Sequence, residues 1–204
     1  MKKWSVLLLI VIILCALFGI FACSKSGADS PEAALVQYVR GISALDAEKT
    51  IAATQYCDDV TKRVVDSLTK EDLNQLRDDM YTKDIIDREF GGDIRKYAET
   101  AWQFEATHLK RVLAERQQAG EEAYSEKDIR IEFVTVEQPV RDQEALEYLT
   151  YWFSDVHKLP WEDTAYIKYN GINLKNGRAG TEEEYLFKLD GKWYVFDKGN
   201  WHYY

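Results

Sequence analysis

Residues 183–196 read EEYLFKLDGKWYVF, in which two runs of alternating polar and apolar side chains flank Asp190-Gly191. An Asp-Gly pair between two such runs is typical of a β-hairpin closed by a two-residue turn, because both turn residues must adopt positive φ. The chain is therefore predicted to end in an antiparallel hairpin.

Three further segments upstream of this hairpin have the composition of strands. Ile129, Ile131 and Phe133 alternate with charged residues, which indicates a half-buried strand. Residues 144–153 (EALEYLTYWF) are rich in aromatic residues and are predicted as a second strand. Residues 163–169 (DTAYIKY) form a third, which we expect Asn170-Gly171 to end, so that a long connection over 171–182 leads to the hairpin.

The first half of the mature chain is predicted to be helical. Ser30 followed by Pro31 and Glu32 is typical of a helix start, and further starts are indicated at Asp46, near Val60, at Thr69 and near Ile85. The longest predicted helix runs from Asp93 to near Gly120. The first helix has one apolar stripe, formed by Leu35, Tyr38, Val39, Ile42 and Leu45.

Helices together with a meander of strands indicate an α+β fold, with N-terminal helices packed on one face of a C-terminal antiparallel curved sheet.

The N-terminus has the order of an export signal. Lys2 and Lys3 precede an apolar run over residues 6–22. The run ends in Ile20-Phe21-Ala22-Cys23, which resembles the lipobox that lipoprotein signal peptidase recognises. This resemblance implies cleavage before Cys23 and lipidation of its thiol. The alternative is an uncleaved membrane-spanning anchor, since the run is about as long as such a helix needs.

Both alternatives place the rest of the chain outside the cytoplasm, because the two lysines stay inside. We predict a signal peptide at residues 1–22, a lipid-anchored polar tether at 23–29 and a single α+β domain at 30–204. The protein would be lipid-anchored to a bacterial membrane, which is the outer membrane if the organism has one. The membrane, reached through the N-terminal lipid, is thus its first expected partner.

Charge and cysteine content narrow the choice of function. The whole chain has 26 basic and 35 acidic residues, and loss of the leader makes the balance more acidic still. A nucleic acid is therefore not expected as a partner, because its phosphates would be repelled. Cys57 is the one cysteine left in the domain, and we predict a buried structural thiol there.

Three sets of residues carry a resemblance to a known family. Ser30-Pro31-Glu32-Ala33 opens a helix directly after the tether, Leu45-Asp46 joins this helix to the next, and residues 187–195 (FKLDGKWYV) form the closing hairpin. In these features the chain resembles small bacterial lipoproteins of unknown function that have a nuclear-transport-factor-2-like domain, near the lumazine-binding-like group. The resemblance implies a cystatin-like cone, with a pocket between the curved sheet and the long helix. A different fold of helices and a meander is the alternative.

Enzymes on the cone fold place Asp, His or Tyr in that pocket, and the weak catalytic candidates here are Glu105 and His108. Helical spacing puts Glu105 on the apolar stripe of the long helix, one turn before His108. In the alternative interpretation the stripe passes through Phe104 and Glu105 lies at its solvated edge. No two histidines have the spacing of metal ligands, so neither a metal nor a cofactor is expected. The acidic run 182–184 is predicted to be solvated.

Aromatic residues are unusually concentrated between residues 148 and 169. They form the set Tyr148, Tyr151, Trp152, Phe153, Trp161, Tyr166 and Tyr169. Some belong to the core and cover the sheet, whereas others could line a binding groove, with Tyr148, Trp152 and Tyr166 as the ligand-binding candidates.

These observations favour a non-enzymatic envelope module that binds a protein or a small amphipathic ligand. One alternative is a cofactor-free isomerase or dehydratase of the cone type, which would act through Glu105 or His108. The other is a structural or immunity-type lipoprotein.

Overall fold

The computed structural model describes residues 26–78, 80–143, 146–147, 150 and 161–197. The leader and Cys23 lie outside these residues, so the predictions of cleavage and lipidation stay predictions. Within the described ranges no helix is both long and apolar enough to cross a membrane.

The described residues form seven helices before the first strand. They are α1 (Pro31–Ser43), α2 (Ala47–Ala52), α3 (Asp58–Ser67), α4 (Lys70–Asp78), α5 (Met80–Phe90), α6 (Ile94–Trp102) and α7 (Phe104–Gln118). The predicted starts are confirmed where side chains cap them. Ser30 accepts from the Ala33 N–H at 3.2 Å, and Asp46 and Asp93 cap α2 and α6 in the same way at 3.0 Å.

The predicted single helix over residues 93–120 is wrong, because the chain leaves helical geometry at Gln103 (φ −84°, ψ 8°). Two tertiary hydrogen bonds lie at this break. The Trp102 indole N–H donates to the Gln55 carbonyl at 3.2 Å, and the Gln103 amide donates to the Thr61 hydroxyl at 3.4 Å. No glycine or proline marks the position, so the sequence pattern alone could not locate the break.

The four named strands form one antiparallel sheet in the order β1-β2-β3-β4. They are β1 (Ile129–Glu137), β2 (Asp163–Asn173), β3 (Ala179–Leu189) and β4 (Lys192–Val195). The predicted closing hairpin is confirmed. Leu189 lies opposite Lys192, and the two turn residues, Asp190 and Gly191, have φ of 50° and 76°.

Two strand predictions are wrong. Asn170-Gly171 does not end β2, because these residues pair with Thr181 and Gly180, and the long connection over 171–182 is instead mostly strand. Residues 144–153 do not form the predicted strand where they are described. Leu146 and Glu147 are helical, and the Leu146 N–H donates to the Asp142 carbonyl at 3.0 Å. This helical segment between β1 and β2 interrupts a simple order of helices followed by strands.

The N-terminal segment also differs from the prediction, because part of the expected tether belongs to the sheet. Ala28 and Trp193 exchange backbone hydrogen bonds of 3.0 and 2.8 Å along the edge of β4 that faces away from β3. The Gly27 N–H donates to the Ala52 carbonyl at 2.9 Å. The folded domain therefore starts before residue 30, and its sheet gains a short antiparallel segment at the β4 edge.

Hydrophobic residues are buried on both faces of the sheet. On the first face α1 packs against β2, β3 and β4, with Leu35, Ile167, Leu186 and Val195 all fully buried. On the second face, near the hairpin, Phe187 and its neighbours pack against α3. A third cluster joins α7 to α2 and to Leu45 after α1. The prediction that the helices pack on one face of the sheet is therefore wrong, because helices cover parts of both faces.

Candidate functional site

Beyond the hairpin, the second face of the sheet has half-buried and exposed side chains among the described residues. We call this surface the open face and define it by Tyr166, Lys168, Asn170, Thr181, Glu183 and Tyr185. These residues are three directly opposed pairs of β2 and β3, and each of the six side chains is half-buried or exposed. The strand period of two places all six on one side of the sheet.

Tyr166, the one ligand-binding candidate within the described residues, lies at the end of the open face nearest the hairpin. Its ring packs against that of Tyr185 with centroids 5.3 Å apart and planes tilted by 49°. Its hydroxyl donates to the Glu183 carboxylate at 2.7 Å. Burial, together with this carboxylate, raises the pKa of Tyr166 to about 12. The phenol therefore stays protonated at neutral pH and suits binding rather than proton abstraction.

Strand β1 borders the open face and exposes large apolar side chains. Phe133, Val134 and Val136 are 42%, 54% and 42% exposed. A β-bulge between Phe133 and Thr135 interrupts the pairing with β2, while Thr135 and Glu137 continue the open face opposite Lys168 and Tyr166. Among the residues that the structure describes, no strand pairs with the outer edge of β1. This apolar edge was missed in the sequence analysis, which predicted a half-buried strand from Ile129, Ile131 and Phe133.

A cluster of acidic and phenolic side chains lies beneath α1 and was not predicted. Tyr38, Tyr169, Glu184 and Asp197 are each less than a tenth exposed. Burial, followed by the negative charges of the neighbouring Asp197 and Glu184, raises the pKa of Tyr38 well above its usual value. The expectation that residues 182–184 are all solvated is therefore wrong for Glu184. This residue lies two positions before the buried Leu186 in β3, and so on the same face of the strand.

Asp197 is also held through its backbone. Its N–H donates to the Gln55 side-chain oxygen at 2.9 Å, and its carbonyl accepts from the Gln55 amide at 2.8 Å. Asp197 thus joins α1, the segment after α2 and the end of β4. Because these groups are buried, the cluster connects secondary-structure elements and does not present acids to a ligand.

The catalytic candidates Glu105 and His108 lie on α7, and both are half-buried. They flank a stripe of Ala106, Leu109 and Leu113, whose buried contacts are with Leu45 and Ile51. Phe104 is 64% exposed, so the stripe does not pass through it, and Glu105 lies at the edge of the stripe and not on it. The contacts that position this pair are therefore with α2 and the end of α1.

Cys57 lies directly before α3, and the prediction of a buried thiol at this position is confirmed. Cys57 is 2% exposed and packs with Val60, Val64 and Phe187. Burial raises its pKa to about 11. The thiol is consequently protonated at neutral pH, a state in which it is neither a nucleophile nor a metal ligand.

The remaining sequence candidates are outside the part of the chain that the structure covers. Tyr148 and Trp152 lie outside the described residues, as does the lipidation site Cys23. Within the described ranges no group of three or more His, Cys, Asp or Glu side chains could hold a metal ion. Comparison with protein-family models, with curated proteins and with solved structures finds no significant match to this chain.

Proposed function

We propose that this chain is a lipoprotein of the bacterial envelope, anchored through Cys23, and that its domain is a non-enzymatic module that binds a protein partner. The leader and the sequence Ile20-Phe21-Ala22-Cys23 support the anchor. The partner binds at β1 as an extended polypeptide segment of a basic envelope protein.

The single observation that carries the binding proposal is the exposure of Phe133, Val134 and Val136 on an edge strand. Natural sheets usually protect such edges, because an unpaired row of backbone groups beside apolar side chains promotes association. Addition of a strand would supply hydrogen bonds to the backbone of β1 and cover these side chains.

The open face would supply a polar contact on the other side of the same edge, because Phe133 and Val136 are in register with Tyr169 and Ile167 of the first face. A strand added next to β1 would place alternate side chains beside Thr135 and Glu137, which share a face with Tyr166. Tyr166 would then offer the partner a ring with a polar tip, a combination typical of binding surfaces. The contact with the Tyr185 ring and the hydrogen bond to Glu183 already hold Tyr166 in place, so little side-chain entropy is lost on binding.

The charge of the chain favours a basic partner. Its net charge is −9, and Glu132, Glu137 and Glu183 lie on or beside the proposed surface. The ion pair of Arg130 with Glu132 at 3.0 Å offsets part of this local charge. Long-range attraction would increase the association rate of a positively charged segment and would weaken as salt is added.

Photo-crosslinking in intact cells tests this proposal. A photoactivatable amino acid at position 134 is expected to give one defined adduct with a basic envelope protein. The matched control is position 174, because Leu174 is 53% exposed and Val134 is 54% exposed. Leu174 directly follows the C-terminal end of β2, away from the proposed binding site at β1 position 134, and it should give no such adduct.

A second variant separates specific binding from random capture. Val136→Lys adds a positive charge to the edge and should reduce the adduct at position 134 at least tenfold, since it repels a basic segment and adds a desolvation cost. An adduct of equal yield at positions 134 and 174, an adduct unaffected by Val136→Lys, or a crosslink to a second copy of this chain would each contradict the proposal.

A further inference from the structure

We infer that the lipid anchor holds the β4 edge of the domain next to the bilayer and thereby turns β1 away from the membrane. The interaction surface concerned is the edge formed by residues 26–29, β4 and the start of α3, and its partner is the lipid surface itself. This inference rests on the proposed lipidation of Cys23.

The first support is that the chain is fixed to the fold almost as soon as it leaves the anchor. Ala28 pairs with Trp193, and Gly27 bonds to the Ala52 carbonyl. The Ser26 side chain lies beside the sulfur of Cys57. Backbone hydrogen bonds therefore hold Gly27 and Ala28 against the domain, and Ser26 directly before them lies beside Cys57.

Gly27 shows how closely this segment is fitted. Its φ is +70°, and a Cβ at this position would lie 2.7 Å from the ring of Tyr194. The Asp29 carboxylate accepts from the Lys192 ammonium at 2.5 Å on the same edge. The segment is thus part of the tertiary structure, and it cannot slide along β4 without losing these contacts.

The second support is the length of chain that remains. Two residues, Ser24 and Lys25, separate Cys23 from Ser26. Three extended residue steps span about 11 Å, whereas residues 24–29 of the predicted tether would span about 20 Å if all six were extended. The point where the chain enters the domain must therefore stay within about 11 Å of the lipidated cysteine.

The width of the sheet then determines what lies far from the membrane. Four strand spacings separate the Ala28 segment from β1, which amounts to about 19 Å. A tether of about 11 Å is shorter than this width, so it restricts rotation of the domain. Residues at the start of α3, which follow Cys57 directly, remain close to the lipid headgroups. The exposed β1 edge remains available to an extended segment from another protein.

Fluorescence quenching of the lipidated, full mature protein tests the orientation. The protein is placed in vesicles of phosphatidylethanolamine and phosphatidylglycerol that contain a headgroup-labelled quencher. A fluorophore is attached through an unnatural amino acid either at Lys62, which is exposed in α3, or at Val134, which is exposed in β1. We expect quenching at position 62 to exceed that at position 134 at least threefold.

A spacer variant supplies the control. A flexible insertion of twenty glycine and serine residues after Lys25 leaves the Ser26 contacts intact, and it should make quenching at the two positions nearly equal. Equal quenching without the spacer, or stronger quenching at position 134, in a protein shown by mass to be acylated would overturn the orientation alone. Absence of the acyl group from the purified protein would overturn the anchor and this inference together.

Discussion

Phe187→Ala is expected to lower the free energy of unfolding by about 3–5 kcal/mol, the range found when a fully buried phenylalanine is truncated. Phe187 is 1% exposed, and its ring stacks on that of Tyr194 with centroids 5.5 Å apart. The cavity would open between the hairpin and α3, where Val60 and Val64 pack. Urea unfolding of residues 24–204, followed by tryptophan fluorescence, measures the loss.

Phe104→Ala is the matched control, since Phe104 is 64% exposed at the start of α7. Removing the same atoms there should change the free energy of unfolding by no more than about 0.5 kcal/mol. Similar losses for the two variants would mean that the second face of the sheet is not covered by α3 as described.

Gly41→Ala is the second substitution with a large expected effect, and its sign is opposite to that of most Gly→Ala changes in helices. In a helix interior alanine usually gains about 0.5–1 kcal/mol over glycine. At Gly41 a Cβ would lie 2.5 Å from the Thr50 hydroxyl oxygen and 2.7 Å from the Thr50 backbone nitrogen. The backbone of α2 cannot move aside cheaply, so we expect a net loss of about 1–3 kcal/mol in the free energy of unfolding.

The control for helix propensity is Ala33→Gly, at an exposed position of the same helix. It should cost about 0.5–1 kcal/mol through propensity alone. Urea unfolding compares both variants with the parent. A gain in stability for Gly41→Ala would show that α1 and α2 do not approach each other as closely as the structure has them.

The features that could be predicted from sequence are those determined by neighbouring residues. Asp190-Gly191 specifies its turn through two positive φ angles, and Ser30, Asp46 and Asp93 each satisfy a backbone donor three residues ahead. Thr69 and Asp72 bond to each other's backbone N–H in the same local way. Such short-range interactions need no knowledge of the rest of the fold.

Other features depend on distant contacts. The break at Gln103 coincides with hydrogen bonds to Gln55 and Thr61, which are more than forty residues away. Asn170-Gly171 resembles a turn, yet β3 pairs with it and β2 continues. The Gly27–Ala28 segment is too short to show any strand period, so its pairing with β4 could not be predicted from its own sequence.

The candidate site was predictable only in part. Tyr166 was selected from its aromatic neighbourhood, and the structure adds its contacts with Tyr185 and Glu183. The run Phe133-Val134 with Val136 was available as a signal, because an apolar run with few polar residues is unusual for a solvent-facing strand. Its position at the sheet edge follows from strand order, which the sequence pattern does not specify.

Intact-mass measurement of the protein extracted from cell membranes tests the lipid anchor most directly. The mass should correspond to a chain that begins at Cys23 and carries covalent acyl groups, and Cys23→Ser should abolish both the acyl mass and retention in the membrane. A full-length, unmodified polypeptide of 204 residues recovered from the soluble fraction would contradict the account.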